Sequence, residues 1–270
     1  MIEWFSEDID LAIDREVLGF SGDLSNSQIK NLRKASFKFI SYDFKDAIEE
    51  QLIEMGISPE WFTLSAQVSK DSDRDPQVLE LQYHSPLETN TYIAEKVLIE
   101  VGARSLREPS SDRTIQSIID NTFPGQSFSG QPFRIETVDP KRTFLEKIFL
   151  LHEEFLKPIE HIRHERTSRH LYDLERLMDT EHGKAAITDT TLYQTIIEHR
   201  KRFNQLRGID YVLHMPSQIN FIPPGQIIHI WEEDYRLMRN SMIYGDAKDF
   251  KTLINRMHEL RERVRNLPNI

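Results

Sequence analysis

A chain of 270 residues with 39% hydrophobic and 10% aromatic side chains has material for a real core, near two domains at roughly 150 residues each, which excludes wholesale disorder. Its net charge of −10 is uneven: residues 1–140 carry 13 basic against 25 acidic groups and residues 141–270 carry 21 against 19, so the first part is a poor landing surface for a phosphate backbone unless a metal intervenes. There are no cysteines, which excludes disulfides, thiol catalysis and Cys-ligated zinc, and no apolar run approaches the roughly 18 residues of a membrane span; a soluble, cytoplasmic protein is expected.

Up to about residue 140 the signals are mixed. The alternating run DIDLAID (8–14) reads as a strand and is followed by a Gly/Ser/Asn-rich stretch, GFSGDLSNS (19–27). A helix is predicted from about Gln28 to Met55, with Leu32, Ala35, Phe39 and Ala47 as its apolar residues. Strands are predicted at WFTLSAQV (61–68), QVLELQYH (77–84) and KVLIEVGAR (96–104). Segment 105–140, rich in Pro, Gly and Ser, reads as loop with one short helix in TIQSIIDNTF.

From Asp139 the texture is helical. Pro140 follows an Asp that can cap, and Phe144, Ile148, Leu151 and Phe155 keep helical spacing. RHLYDLERLMD, LYQTIIEHRKRF, EEDYRLMRNSMIYG and AKDFKTLINRMHELRERVRNL supply four further helices. The result is an α/β unit followed by a helical one, with the boundary near 135–140.

Chemistry concentrates first in DIDLAID. On a strand Asp8, Asp10, Ala12 and Asp14 share one face, with Ile9, Leu11 and Ile13 on the other. Adjacent like charges repel, so the pattern suits either a divalent cation held between Asp8 and Asp10 or a solvent-facing edge strand. Glu100 interrupts the polar face of KVLIEVG, whose Val97, Ile99 and Val101 share the other; it is a surface residue or a third acid aimed at a site. If the two strands are neighbours, Asp8, Asp10 and Glu100 converge as two-metal phosphoryl or nucleotidyl transfer requires.

Lys147 reads as a point charge for a triphosphate or as a snorkelling surface lysine. Arg169 and Asp173, four apart, form an intrahelical ion pair or stand beside a substrate pocket. The basic clusters at 161–170, 199–207 and 256–265 are solvated helix faces or RNA contacts, with Arg200, Lys201 and Arg202 the placement to test. No H-E-x-x-H, P-loop, G-x-G-x-x-G or G-x-S-x-G occurs, which argues against zinc, Rossmann and α/β-hydrolase chemistry.

FSEDIDLAI, followed in order by VLIEVGARS, RTFLEKIFLLHE, RHLYDLERL and DYRLMRNSMIYG, resembles the AbiEii/AbiGii-type nucleotidyltransferase toxins of the DNA-polymerase-β-like superfamily, of which the MenT toxins are relatives. The resemblance implies an α+β fold: a polymerase-β-like core, a mixed sheet with helices, over 1–138, and a helical C-terminal domain over 139–270. It implies catalytic roles for Asp8, Asp10, Glu100 and Asp173, the first three binding Mg²⁺ or Mn²⁺. It assigns nucleotide-binding roles to Lys147, Arg169 and Ser6.

The implied activity is transfer of a nucleotide from an NTP to an acceptor such as tRNA, in a toxin–antitoxin or phage-defence system with an antitoxin partner. Members carry a Gly-Gly/Ser turn about ten residues before the D-x-D pair, and Met1 stands seven before Asp8, so the core is expected to be N-terminally incomplete. Weak transfer, or a catalytically inactive binding module, is then the alternative, with an uncovered sheet edge that invites a homodimer or a partner strand. A small-molecule acceptor, in the aminoglycoside-nucleotidyltransferase manner, is a third reading.

Overall fold

A computed structural model describes residues 2–4, 8–67, 76–85, 94–104 and 109–267. Strand β1 (Asp8–Ala12) is followed by a nearly continuous helical stretch, α1 (Asn26–Lys38) and α2 (Lys45–Glu54), joined by wider π turns over Phe39–Phe44. Ser25 and Gln28 close α1 with a reciprocal capping box, which is why the helix starts where the Ser/Asn-rich stretch ends. The strands β2 (Phe62–Ala66), β3 (Gln77–Tyr83) and β4 (Lys96–Gly102) follow.

These strands form a mixed sheet of order β1-β4-β3-β2, with β1 and β4 parallel and the other pairs antiparallel. Strand alternation makes one face apolar, and Leu64, Leu79, Ile99 and Val101 pack there beneath Ile40, Phe39, Phe44 and Ile48 of the α1–α2 stretch. The opposite face therefore carries the polar residues, Asp8, Asp10 and Glu100 among them. Strand β1 stops at Ala12, where Ile13 N–H closes on the Gly102 carbonyl, and Asp14 instead accepts from Glu16 N in the following turn. Asp14 is thus a turn residue and not a fourth acid on the strand face.

The stretch 105–140 departs from the expected loop. Among its described residues, β5 (Ser110–Ile115) and β6 (Phe133–Val138) pair antiparallel along their whole length as a separate ribbon, with the short α3 (Ile118–Thr122) between them. SSDRTI has no apolar alternation, and its partner strand keeps Phe133, Ile135 and Val138 exposed, so neither strand carries the inward-facing signal of a core strand.

The second half is helical: α4 (Pro140–Phe155), α5 (Arg169–Leu177), α6 (Glu181–Ala186), α7 (Thr190–His199), α8 (Ile228–Ser241) and α9 (Phe250–Arg265). Asp139 caps α4 through Lys141 N at 2.9 Å, and Pro140 occupies the first turn, where its missing N–H costs nothing. Phe144, Ile148, Leu174, Ala186, Tyr193, Trp231 and Met257 belong to a core to which all six of these helices contribute. Ile2 and Trp4 pack against that core, so the start of the chain is tied to the helical half. No helix among the described residues is long and apolar enough to cross a membrane.

Candidate active site

Parallel pairing of β1 with β4 sets the site. Its register places Asp10 beside Glu100 and Asp8 beside Leu98, so Asp8, Asp10 and Glu100 all lie on the face away from the α1–α2 layer. Neighbouring strands stand about 4.8 Å apart and alternate residues about 6.6 Å, close enough for like charges to interact. The Asp10 carboxyl responds as expected: its pKa is raised, first by burial and then by the charge of Asp8, although Arg169 and Lys147 act in the other direction.

Helix α5 brings the cations. Its N-terminus is anchored by the buried Asp234 of α8, which accepts from Arg166 N at 2.6 Å and Ser168 N at 3.0 Å. From that anchor Arg169 reaches Asp8, Nη1 to Oδ2 at 2.7 Å. Lys147 of α4 meets the buried Asp173, Nζ to Oδ2 at 2.7 Å, and lies 3.5 Å from His170 Nδ1. The His170 imidazole is held well below its usual pKa, by burial first and then by Lys147 and Arg169, which leaves a lone pair to receive the ammonium proton.

Trp4 completes this side, donating Nε1–H to Asp173 Oδ1 at 3.0 Å while the Arg169 guanidinium lies 5.6 Å from its ring centroid. Arg169 and Asp173 therefore face separate partners, Asp8 and Lys147, so of the two readings the intrahelical ion pair gives way to contacts with other elements.

A cleft of about 580 Å³ opens between the sheet and the helical half. Asp10 and Glu100 line it with Arg104, Arg142, Glu146, His199 and Arg200. Arg200 is held there by carboxylates: Nε donates to Glu153 Oε1 at 2.8 Å, Nη2 to Glu153 Oε2 and Nη1 to Glu146 Oε2. Arg202 is occupied by Asp23 at 3.0 Å and the Leu24 carbonyl at 2.6 Å. Arg200, Lys201 and Arg202 thus do not form one open basic surface, because Arg200 is buried against carboxylates and Arg202 is paired at the surface with Asp23.

Asp8, Asp10, Glu100, Lys147, Arg169 and Asp173 are accordingly joined by strand register, shared contacts or mutual charge, whereas Ser6 lies outside the described residues. Trp4 and Arg142 were not singled out in the sequence, and His199 only as part of the basic run 199–207. Arg142 had a signal, since Arg142 and Glu146 stand four apart on a capped helix, but Trp4 had none. Among the described residues no three acids or histidines are already gathered as a metal-binding group.

A mixed sheet that sets acids on its open face, against a helical half that supplies cations, is the build of a nucleotidyltransferase core. The family profile described as "Nucleotidyl transferase AbiEii toxin, Type IV TA system" matches residues 3–256, nearly the whole chain, and the protein belongs to that family. The family is one of nucleotidyltransferase toxins of type IV toxin–antitoxin systems. Searches of curated proteins and of solved structures returned no match.

Proposed function

We propose that the protein is a metal-dependent nucleotidyltransferase that moves NMP from an NTP to an RNA acceptor, of which tRNA is the first to test, in the cytoplasm and under the control of an antitoxin. Residues 1–138 form its nucleotidyltransferase core and residues 139–270 its helical domain, with the cleft between them as the reaction site. The observation that carries this reading is the Asp10–Glu100 register beside Asp8. Hard carboxylate oxygens on one sheet face suit Mg²⁺ or Mn²⁺, and burial, then the charge of Asp8, raises the Asp10 pKa, a cost that a bound cation would relieve.

Asp8, Asp10 and Glu100 would hold the metal, which would supply Lewis-acid stabilisation of the phosphoryl oxygens. Lys147 and Arg169 bind and orient nucleotide phosphates, exchanging their present carboxylate partners for phosphate oxygens. Asp173, fixed by Trp4, holds Lys147 toward the cleft until phosphate takes over the ammonium. A carboxylate near the acceptor hydroxyl, Asp10 or Glu100, receives its proton as the hydroxyl oxygen bonds to the α-phosphorus and the α–β phosphoanhydride bond breaks, releasing pyrophosphate.

Incubation with each labelled NTP, Mg²⁺ and total tRNA tests the reading. Label should pass to RNA in the wild-type chain and not in Asp8→Ala or Asp10→Ala. Transfer that survives both substitutions removes these acids from the reaction.

A second reading has its own observation. Asp8 is already engaged by Arg169 at 2.7 Å, a contact that suits a nucleotidyltransferase-like binding module working without a metal. That reading expects partner binding indifferent to Asp8→Ala and Asp10→Ala, with no label transferred.

A further inference from the structure

Arg142 is the one guanidinium of the cleft whose surroundings do not account for it. It is 6% exposed, yet its Nε and Nη1 find no hydrogen-bond partner among the described residues. Its carboxylate neighbour in the ion-pair range, Glu146 Oε1, stands 3.7 Å from Nε, beyond hydrogen-bond reach, and Glu146 also binds Arg200. The contrast with Arg200 in the same cleft is direct, since all three nitrogens of that guanidinium donate to carboxylate oxygens. Burying donors without acceptors costs free energy, and a fold that keeps such a group commonly holds it for a ligand.

Two further features identify the ligand chemistry. Arg104 lines the cleft as well and gives Nη1 to the Phe203 carbonyl at 2.6 Å, so its position is fixed. His199, with one ring nitrogen 2.7 Å from the Arg104 carbonyl, has its pKa pushed down to about 4, by burial first and then by the charges of Arg142, Arg200 and Arg104. Arg200 is neutralised by Glu153 and Glu146, so Arg142 and Arg104 are the cleft guanidiniums that bear on a ligand, a setting for a tetrahedral oxyanion rather than for a neutral group.

We propose that Arg142, with Arg104 beside it, forms a phosphate-binding subsite in the cleft that Asp10 and Glu100 also line. It rests on the nucleotidyl-transfer reading and extends it to residues outside the Lys147–Arg169 group. The phosphate belongs either to the NTP or to the acceptor strand, and the chemistry of recognition is shared.

The test uses the full chain and two probes: inorganic tripolyphosphate, by calorimetry, for the NTP source, and a 5′-labelled single-stranded RNA with a free 3′-OH, by fluorescence anisotropy, for the acceptor source. Arg142→Met keeps side-chain bulk and removes the charge, and Arg142→Lys restores a cation. Arg142→Met should weaken at least one probe about tenfold, with Arg142→Lys recovering part of the loss. The probe affected names the source. Its thermal midpoint without probe should match or exceed the wild type, because a poorly partnered buried charge is removed.

Affinities within twofold of wild type in both arms overturn the subsite while leaving the transfer reading intact. A midpoint several degrees below wild type makes Arg142 a structural ion-pair partner and also overturns it. If the wild-type chain binds neither probe, both the subsite and the reading beneath it fall.

Discussion

In the helical half, Arg200 is buried yet gives every guanidinium nitrogen to Glu153 or Glu146, and His214 closes the set on Glu153 at 3.0 Å. On the open face of the sheet, Asp8, Asp10 and Glu100 set like charges side by side, with Arg169 on Asp8 and the pKa of Asp10 still raised. The first arrangement is closed: each charge meets its complement and no ligand is called for. The second leaves room for one. The Arg200 cluster and the sheet acids thus differ in how far their charges are matched, and substitution should affect different observables in the two.

The largest effect is expected on the sheet. Asp10→Asn should cut nucleotide transfer about a thousandfold or more, roughly 4 kcal/mol of barrier, while leaving the urea midpoint unchanged or higher because a like-charge neighbour is lost. A destabilised but active variant would erase the distinction.

Glu153→Leu probes the other side. Removing it strands Arg200 in the core and should cost about 3 kcal/mol of unfolding free energy by urea titration. A smaller loss would mean that water or Glu146 takes over.

Acid should also act through the helical half. His152 and His199 are each pushed down to about 4, with burial the first cause, whereas an unfolded chain protonates them near the usual value of 6.5. Their folded pKa values lie below the unfolded ones, so their contribution is full above about pH 6.5 and is lost as pH falls toward 4. Between pH 6 and 5 the two together should cost about 2 kcal/mol, read from denaturation curves at each pH. Glu153 adds to the loss further down: burial alone would raise its pKa, but Arg200 and His214 more than offset this and lower it. Its share is present above the usual carboxylate range and disappears below it.

The smallest effect belongs to a surface pair. Arg236 and Glu233 are both largely exposed, and Arg236→Ala should leave the urea midpoint indistinguishable from wild type.

Much of this organisation was legible locally. Alternation located β2, β3 and β4 to within two residues at each end, and Asp139-Pro140 marked the start of α4. The acids at 8, 10 and 100 could be picked out as strand residues on a polar face. Their meeting could not, because the parallel register joins segments about ninety residues apart and no local pattern encodes it. The β5–β6 ribbon escaped because β5, SSDRTI, is almost wholly polar and the Pro-, Gly- and Ser-rich stretch around it masked the short Phe133–Ile135 alternation of β6. Arg200 looked like part of an exposed basic cluster because its neutralising acids, Glu146 and Glu153, sit about fifty residues away on α4.

The three tryptophans occupy three settings. Trp231 is sealed in the helical core, Trp61 is 55% exposed, and Trp4 bonds to Asp173 with Arg169 across its ring. If nucleotide binds where proposed, Trp4 emission should change with it, because the indole touches Asp173 and lies under Arg169. Replacing Trp61 with phenylalanine would leave one silent indole and one responsive one, giving the molecule an optical gauge of occupancy with no dye attached.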